Sequence, residues 1–205
     1  ALLSAVRFAV SRPCGEAAAA PERLLSTLSI ELNVPFPLSS ILSPPALQHY
    51  SRLFRLLALV HYALHSVKAG WFQLSRRAVG RRPGSSGLPT AVLGLRHHMQ
   101  LFVSTLQRYL VVDVVAAAAA RLQDRVAEAA SLDALSAAHS AFLDECTAKA
   151  FLGAEGQDVL RTITDMLSQT FRLRNALDAV SGEGSQLPSA AGALQELLAV
   201  ETTFH

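Results

Sequence analysis

The stretch Ser43–Trp71 reads SPPALQHYSRLFRLLALVHYALHSVKAGW. A serine ahead of two prolines is a helix start. The hydroxyl caps a free amide of the first turn, and proline there presets φ without forfeiting a hydrogen bond. Beyond it Leu47, Tyr50, Phe54, Leu57, Val60, Leu64, Val67 and Trp71 recur at steps of three and four, the period of one helix face. Gln48, His49, Arg52 and Ser66 fall on the other face. A long amphipathic helix must lay its stripe on a neighbour, so the segments around it decide the fold.

Downstream, Gly80–Thr90 (GRRPGSSGLPT) is a loop, and a second long helix is expected over Leu93–Val126. Its stripe is Leu95, Met99, Phe102, Leu106, Tyr109 and Leu110. Asp113 falls on the same line, where a core asks for an apolar residue. Leu101, Val111 and Val112 are apolar on the other side, which predicts burial on more than one face. The alanines Ala116–Ala120 favour helix and permit close packing. Ser131 caps a third helix with Asp133 in its first turn. Leu135, His139, Phe142, Cys146 and Phe151 share one of its faces, and Gly153 ends it. A fourth helix covers about Gln157–Val180, with Val159, Ile163, Met166, Thr170 and Leu177 on its stripe. Ser181–Ser189 breaks it, and Ala190–Glu201 is a last helix.

Upstream, Leu2–Val10 reads as the end of a helix and Arg12–Pro21 as a loop. Leu28–Leu32 is a short extended run that leads into Pro35, Phe36 and Pro37, which block regular helix. The expected class is therefore all-α: an elongated bundle of about five to six helices, two of them long. Residues 1–27 form a helix end and loop, and residues 28–205 form the helical domain with a loop at 76–92 inside it.

Composition narrows the function. Of 205 residues 51% are hydrophobic and only 17% charged, which excludes intrinsic disorder and leaves apolar surface for a partner. The net charge is +2 without a long basic tract, so no nucleic-acid footprint is expected. Cys14 and Cys146 are too few for a disulfide scaffold or a Cys-rich zinc module. Leu53–Val67 carries Arg55, His61 and His65, and Leu110–Ala120 carries Asp113. Both are shorter than the roughly 20 residues of a span, so no membrane span is expected. Arg7 breaks the apolar start as a secretory signal. These features predict a soluble intracellular chain.

Catalytic and metal constellations are absent from the sequence. His61 and His65 stand at i, i+4, but no HExxH motif or nearby carboxylate completes a ligand set. His97 and His98 point roughly 100° apart on a helix. Cys146 and His139 lie two turns apart, about 10 Å along the axis, too far for a nucleophile and its base. The pairs Asp144-Glu145 and Asp124…Glu128 read as solvated faces. Arg76, Arg77, Arg81 and Arg82 read as a solvated loop, with contact to an acidic partner as the sharper alternative. No metal, no cofactor and no enzymatic activity are expected. A ligand-binding or enzymatic bundle built on His61, His65 and Asp113 is the competing possibility.

Four segments carry a family resemblance. Leu28–Leu38 (LSIELNVPFPL) with Ile41-Leu42 resembles the opening L-x-Y-x-V-P-W-P-L…I/L motif of the gamma-tubulin complex proteins, with Phe36 where Trp is usual. Tyr50–Leu57 (YSRLFRLL), followed by Trp71, resembles the next helix of that family. Leu95–Val114 (LRHHMQLFVSTLQRYLVVDV) resembles its L-R-x-x-M…L-Q-x-Y-L-x-x-D-V helix. Leu132–Leu143 (LDALSAAHSAFL) resembles its D-x-L…A-H-x-x-F/Y-L helix. The alanines after the D-V step are a departure from the family pattern.

The resemblance implies the C-terminal, gamma-tubulin-carrying domain, without a counterpart of the half that makes lateral contacts. The implied function is a non-catalytic scaffold that binds gamma-tubulin and supports microtubule nucleation, with other gamma-tubulin complex components as further partners. The implied location is the cytoplasm and cytoskeleton, at a microtubule-organizing centre, centrosome or spindle pole. A helical adaptor for another tubulin or a coiled-coil protein is the alternative. Residues that the core does not need are the candidate partner surface: Arg96, His97, Gln100 and Arg108 on the second long helix, and His49 and Arg52 on the first. Asn33, Pro35 and Phe36 join them, in a segment whose prolines have already removed chain entropy.

Overall fold

The computed structural model describes the backbone of residues 6–10, 27–32, 36, 38–78 and 90–181, with side chains for 27–32, 36, 38–69 and 93–176. Asn33, Pro35, the Arg12–Pro21 loop, the loop after Ala78 and the expected Ala190–Glu201 helix lie outside these residues, as do the side chains of Trp71 and Leu177.

Helix dominates. The elements are β1 (Val6–Val10), β2 (Leu28–Leu32), α1 (Leu38–Ile41), α2 (Pro44–Ala78), α3 (Thr90–Arg108), a wide-wound segment (Tyr109–Ala116), α4 (Ala117–Glu128), α5 (Leu132–Lys149), one 3-10 turn (Ala154–Gly156) and α6 (Gln157–Ser181). The all-α class holds, and α2 is 35 residues long. The helix end expected over Leu2–Val10 is corrected at Val6–Val10, which is a strand. It pairs antiparallel with β2, Phe8 opposite Ile30 and Val10 opposite Leu28. Its β-branched and aromatic residues suit a pleated surface, and a partner strand overrides any local helical tendency.

The chain divides into two compact units. The first takes residues 1–59 and 108–160. Its core holds Leu53, Leu56, Leu110, Val114, Ala118, Phe142, Leu143, Cys146 and Leu152. Each large apolar side chain buried here contributes about 1.5–3 kcal/mol. The two-stranded sheet is fastened to α2 by side chains: the Ile30 amide donates to Ser51 Oγ at 3.0 Å, and Arg55 Nε donates to the Leu28 carbonyl at 2.5 Å. Ser131 caps α5 as its sequence predicts, accepting from the Ala134 amide at 3.1 Å.

The second unit takes residues 60–107 and 161–205. Its core holds Val60, Ala63, Leu64 and Val67 of α2, Leu95, Met99, Val103 and Leu106 of α3, and Ile163, Leu167, Phe171 and Leu173 of α6. Tyr62 meets Phe171 with ring centroids 5.3 Å apart. Gln107 Nε2 and His61 Nδ1 lie at hydrogen-bond distance, 3.2 Å. Ser66, assigned by sequence to the polar face of α2, is instead buried.

Three expectations for the second long helix change. Its buried line runs Leu95, Met99, Val103, Leu106, Leu110, Val114 and Ala118, and Asp113 is exposed. The cause is the winding between Tyr109 and Ala116. There the Ala117 amide bonds the Val112 carbonyl five residues back, so residues four apart stay aligned. Leu101, Val111 and Val112, expected to be buried, are exposed. Finally, the stretch Leu93–Glu128 is one continuous helix, long and apolar enough by length and composition to cross a membrane, a property hidden when only Leu110–Ala120 is weighed.

Candidate partner-binding surface

In the first unit the C-terminal end of α5 gathers several polar contacts. Lys149 is followed by Ala150 as C-cap and by Phe151 at φ 59°. The Leu152 amide donates to the Thr147 carbonyl at 2.9 Å and the Phe151 amide to that of Ala148 at 3.2 Å. This is the left-handed helix stop that glycine usually fills. A bulky residue held there stores roughly 1–3 kcal/mol of strain. The Phe151 ring stacks on Tyr109 with centroids 6.1 Å apart, and Tyr109 Oη donates to the Lys149 carbonyl at 2.9 Å. Gly156 makes room for that backbone. The helix therefore stops at Lys149 rather than at Gly153.

Neighbouring side chains tie α2 and α4 to the same end. His49 Nδ1 and Thr147 Oγ1 share a hydrogen bond of 3.0 Å, and Arg52 Nη2 donates to the Leu152 carbonyl. Glu145 takes both Arg121, at 2.5 Å, and Lys149, at 2.7 Å. Hydrogen bonds from Arg121 and then Lys149 hold its carboxyl down at about 2.

The same unit holds a small part-buried polar cluster. Tyr50 Oη and His139 Nε2 are 2.9 Å apart, and both rings approach Phe142, at 6.4 and 6.5 Å. Burial pushes the His139 imidazole below its ordinary value. It pushes the Tyr50 hydroxyl and the Cys146 thiol up.

The pH dependence follows from these directions. A depressed folded value means that the unfolded chain binds the proton first, so stability is lost as pH falls. His139 costs stability as pH drops below about 6.5, and Glu145 costs stability as pH falls from its ordinary range through about 2. A melting series from pH 7.5 to 5 is expected to decline in the parent chain and to flatten in His139→Gln. An equal slope in both would refute the assignment.

The sequence-chosen surface residues fall in two places. In the second unit Arg96 is half-buried on α3. Its Nη1 donates to Gln100 Oε1 at 2.8 Å, its Nε is buried, and burial lowers its guanidinium from the ordinary value. His97 is exposed, and so is His98, which sequence placed at the core edge. In the first unit Arg108 is exposed at the end of α3, and Phe36 is 80% exposed. His49 and Arg52 are engaged with α5 and the segment after it. His61 and His65 are both exposed. No group of three or more His, Cys, Asp or Glu comes together among the described residues.

Sequence reasoning missed the Tyr109–Phe151–Gly156 arrangement and the Arg121–Glu145–Lys149 contact. Gly156 carried the only local signal, a glycine shortly after a helix stop.

The described residues offer exposed apolar side chains beside isolated charges. Such a surface suits protein contact. The chain is 25% identical over 155 residues to human "Gamma-tubulin complex component 3", which covers 74% of this chain and 17% of that protein. It is 26% identical over 134 residues to mouse "Gamma-tubulin complex component 4", covering 65% of the chain and 20% of that protein. It is 28% identical over 130 residues to "Spindle pole body component alp4" of Schizosaccharomyces pombe, covering 62% and 17%. The chain thus spans about a fifth or less of the length of these relatives. The family model "Gamma tubulin complex component C-terminal" matches residues 10–205, and the chain belongs to that family.

Proposed function

We propose that this chain is a non-catalytic scaffold that carries gamma-tubulin within a gamma-tubulin complex and supports microtubule nucleation. The observation that carries this reading is the family match over residues 10–205. The names of the relatives, gamma-tubulin complex components and a spindle pole body component, support other such components as partners and a cytoskeletal site at a microtubule-organizing centre. No cofactor or metal is needed for that role. Leu93–Glu128 acts as a packed helix rather than a span, because one side of it carries an unbroken buried line from Leu95 to Ala118.

Arg108 and Phe36 in the first unit, and His97 in the second, are the contact residues we favour. Asn33 and Pro35 extend the Phe36 segment. Arg96, Gln100, His49 and Arg52 rank lower, since their side chains are used inside the protein. The test is capture of purified gamma-tubulin on the immobilised chain. Arg108→Glu is a surface change that should move stability by less than about 0.5 kcal/mol. It is expected to weaken capture about five- to tenfold at low salt, with the difference shrinking as salt rises. Full capture by the folded variant moves the contact to the Phe36 segment. Capture of αβ-tubulin alone would support the helical adaptor instead.

A further inference from the structure

The wide turn between Tyr109 and Ala116 has a cause that can be read from side chains. In uninterrupted α-helix, at roughly 100° per residue, the line through Leu95, Met99, Val103, Leu106 and Leu110 continues to residues 113 and 117. In this protein it continues to Val114 and Ala118, which are 0% and 1% exposed. The wide turn therefore exchanges Asp113 for Val114 and Ala117 for Ala118 on the buried line. The second exchange swaps identical side chains. The first replaces a carboxylate by a valine, and an unpaired buried carboxylate is expensive.

The start of the segment and Arg121, five residues past its end, are both tied to α5. Tyr109 bonds the Lys149 carbonyl and stacks on Phe151, and Arg121 bonds Glu145. The extra residue held by the wide turn is trapped between these two points. It can move along the helix but cannot leave it. The stretch just downstream is Ala116–Ala120, where a shift by one residue changes no side-chain shape.

We infer that this segment is a two-position register device: Asp113 holds the wide turn upstream, and the alanine run is the track on which it moves downstream. In the downstream position residues 109–115 wind as α-helix, residue 113 enters the core and residue 114 turns outward. The position of the turn thus decides whether the Asp113 charge stands on the surface beside Val111 and Val112, which are 46% and 49% exposed.

The test is a double-mutant comparison in the whole chain, read by thermal unfolding. Val114→Asp places a carboxylate on the buried line and is expected to lower the melting temperature by more than about 10 °C. Adding Asp113→Val gives the downstream position a valine to bury and turns the new carboxylate outward. The double variant is therefore expected to recover to within about 5 °C of the parent. A crystal structure of the recovered variant should place the five-residue hydrogen bonds within residues 116–120. A double variant as unstable as Val114→Asp alone, or one that recovers with the wide turn still at 109–116, overturns the inference.

Discussion

Truncating Phe142 to alanine is expected to destabilise the first unit by about 3–5 kcal/mol and to lower its melting temperature by more than about 10 °C. The ring is buried at 8% exposure. It approaches the rings of Tyr50 and His139, with centroids 6.4 and 6.5 Å away. Removing it opens a cavity against a part-buried polar pair, so the Tyr50–His139 hydrogen bond loses apolar cover as well. Phe54, which the periodicity places on the α2 stripe, is only half-buried, and Phe54→Ala should cost less. Thermal unfolding of the two variants side by side decides this. Equal losses would mean that α2, not α5, organises the core of this unit.

Gly156→Ala is expected to be the most costly single-methyl change in the described residues. A Cβ at that position would stand 2.7 Å from Phe151 Cα and 2.9 Å from its carbonyl carbon and oxygen. All three are backbone atoms, so no side chain can swing aside. Overpacking of this kind costs about 1–3 kcal/mol. Here the displaced residue is one already held at positive φ and clamped by the Tyr109 ring. Gly153 is the internal control, because a Cβ there meets nothing within 4 Å. Denaturant midpoints should fall for Gly156→Ala and stay within about 0.5 kcal/mol for Gly153→Ala. Matching midpoints would show that the helix stop relaxes freely.

The helices were legible because their signals are local. Ser43-Pro44-Pro45 and Ser131 mark starts that the structure places at Pro44 and Leu132, and the three-four spacing identifies Val60, Leu64, Val67, Met99 and Leu106 as core. The failures share one physical origin, which is that the deciding partner lies far away in sequence. Val6–Val10 looks helical until β2 pairs with it. Ser66 looks like a polar-face residue until its burial is seen. Asp113 was already conspicuous as a charge on an apolar line. Converting that conflict into a wide turn requires knowing that Tyr109 and Arg121 are both fixed to α5. The candidate surface was legible only as what the core does not need. Whether a charged side chain is spent internally, as with Arg52 and Arg96, depends on contacts that no spacing reveals.

The strand pairing also bears on how the chain can be cut. β2 is satisfied on one side by Ser51 and Arg55 of α2 and on the other by β1. A shorter version beginning at Leu28, where the sequence reading starts the helical domain, would keep the first side and strip the second. The row of amides and carbonyls left bare along β2 is a template for pairing with the same row on another copy. Such trimming should therefore turn a well-behaved protein into one that precipitates as it is concentrated, while its helices remain folded.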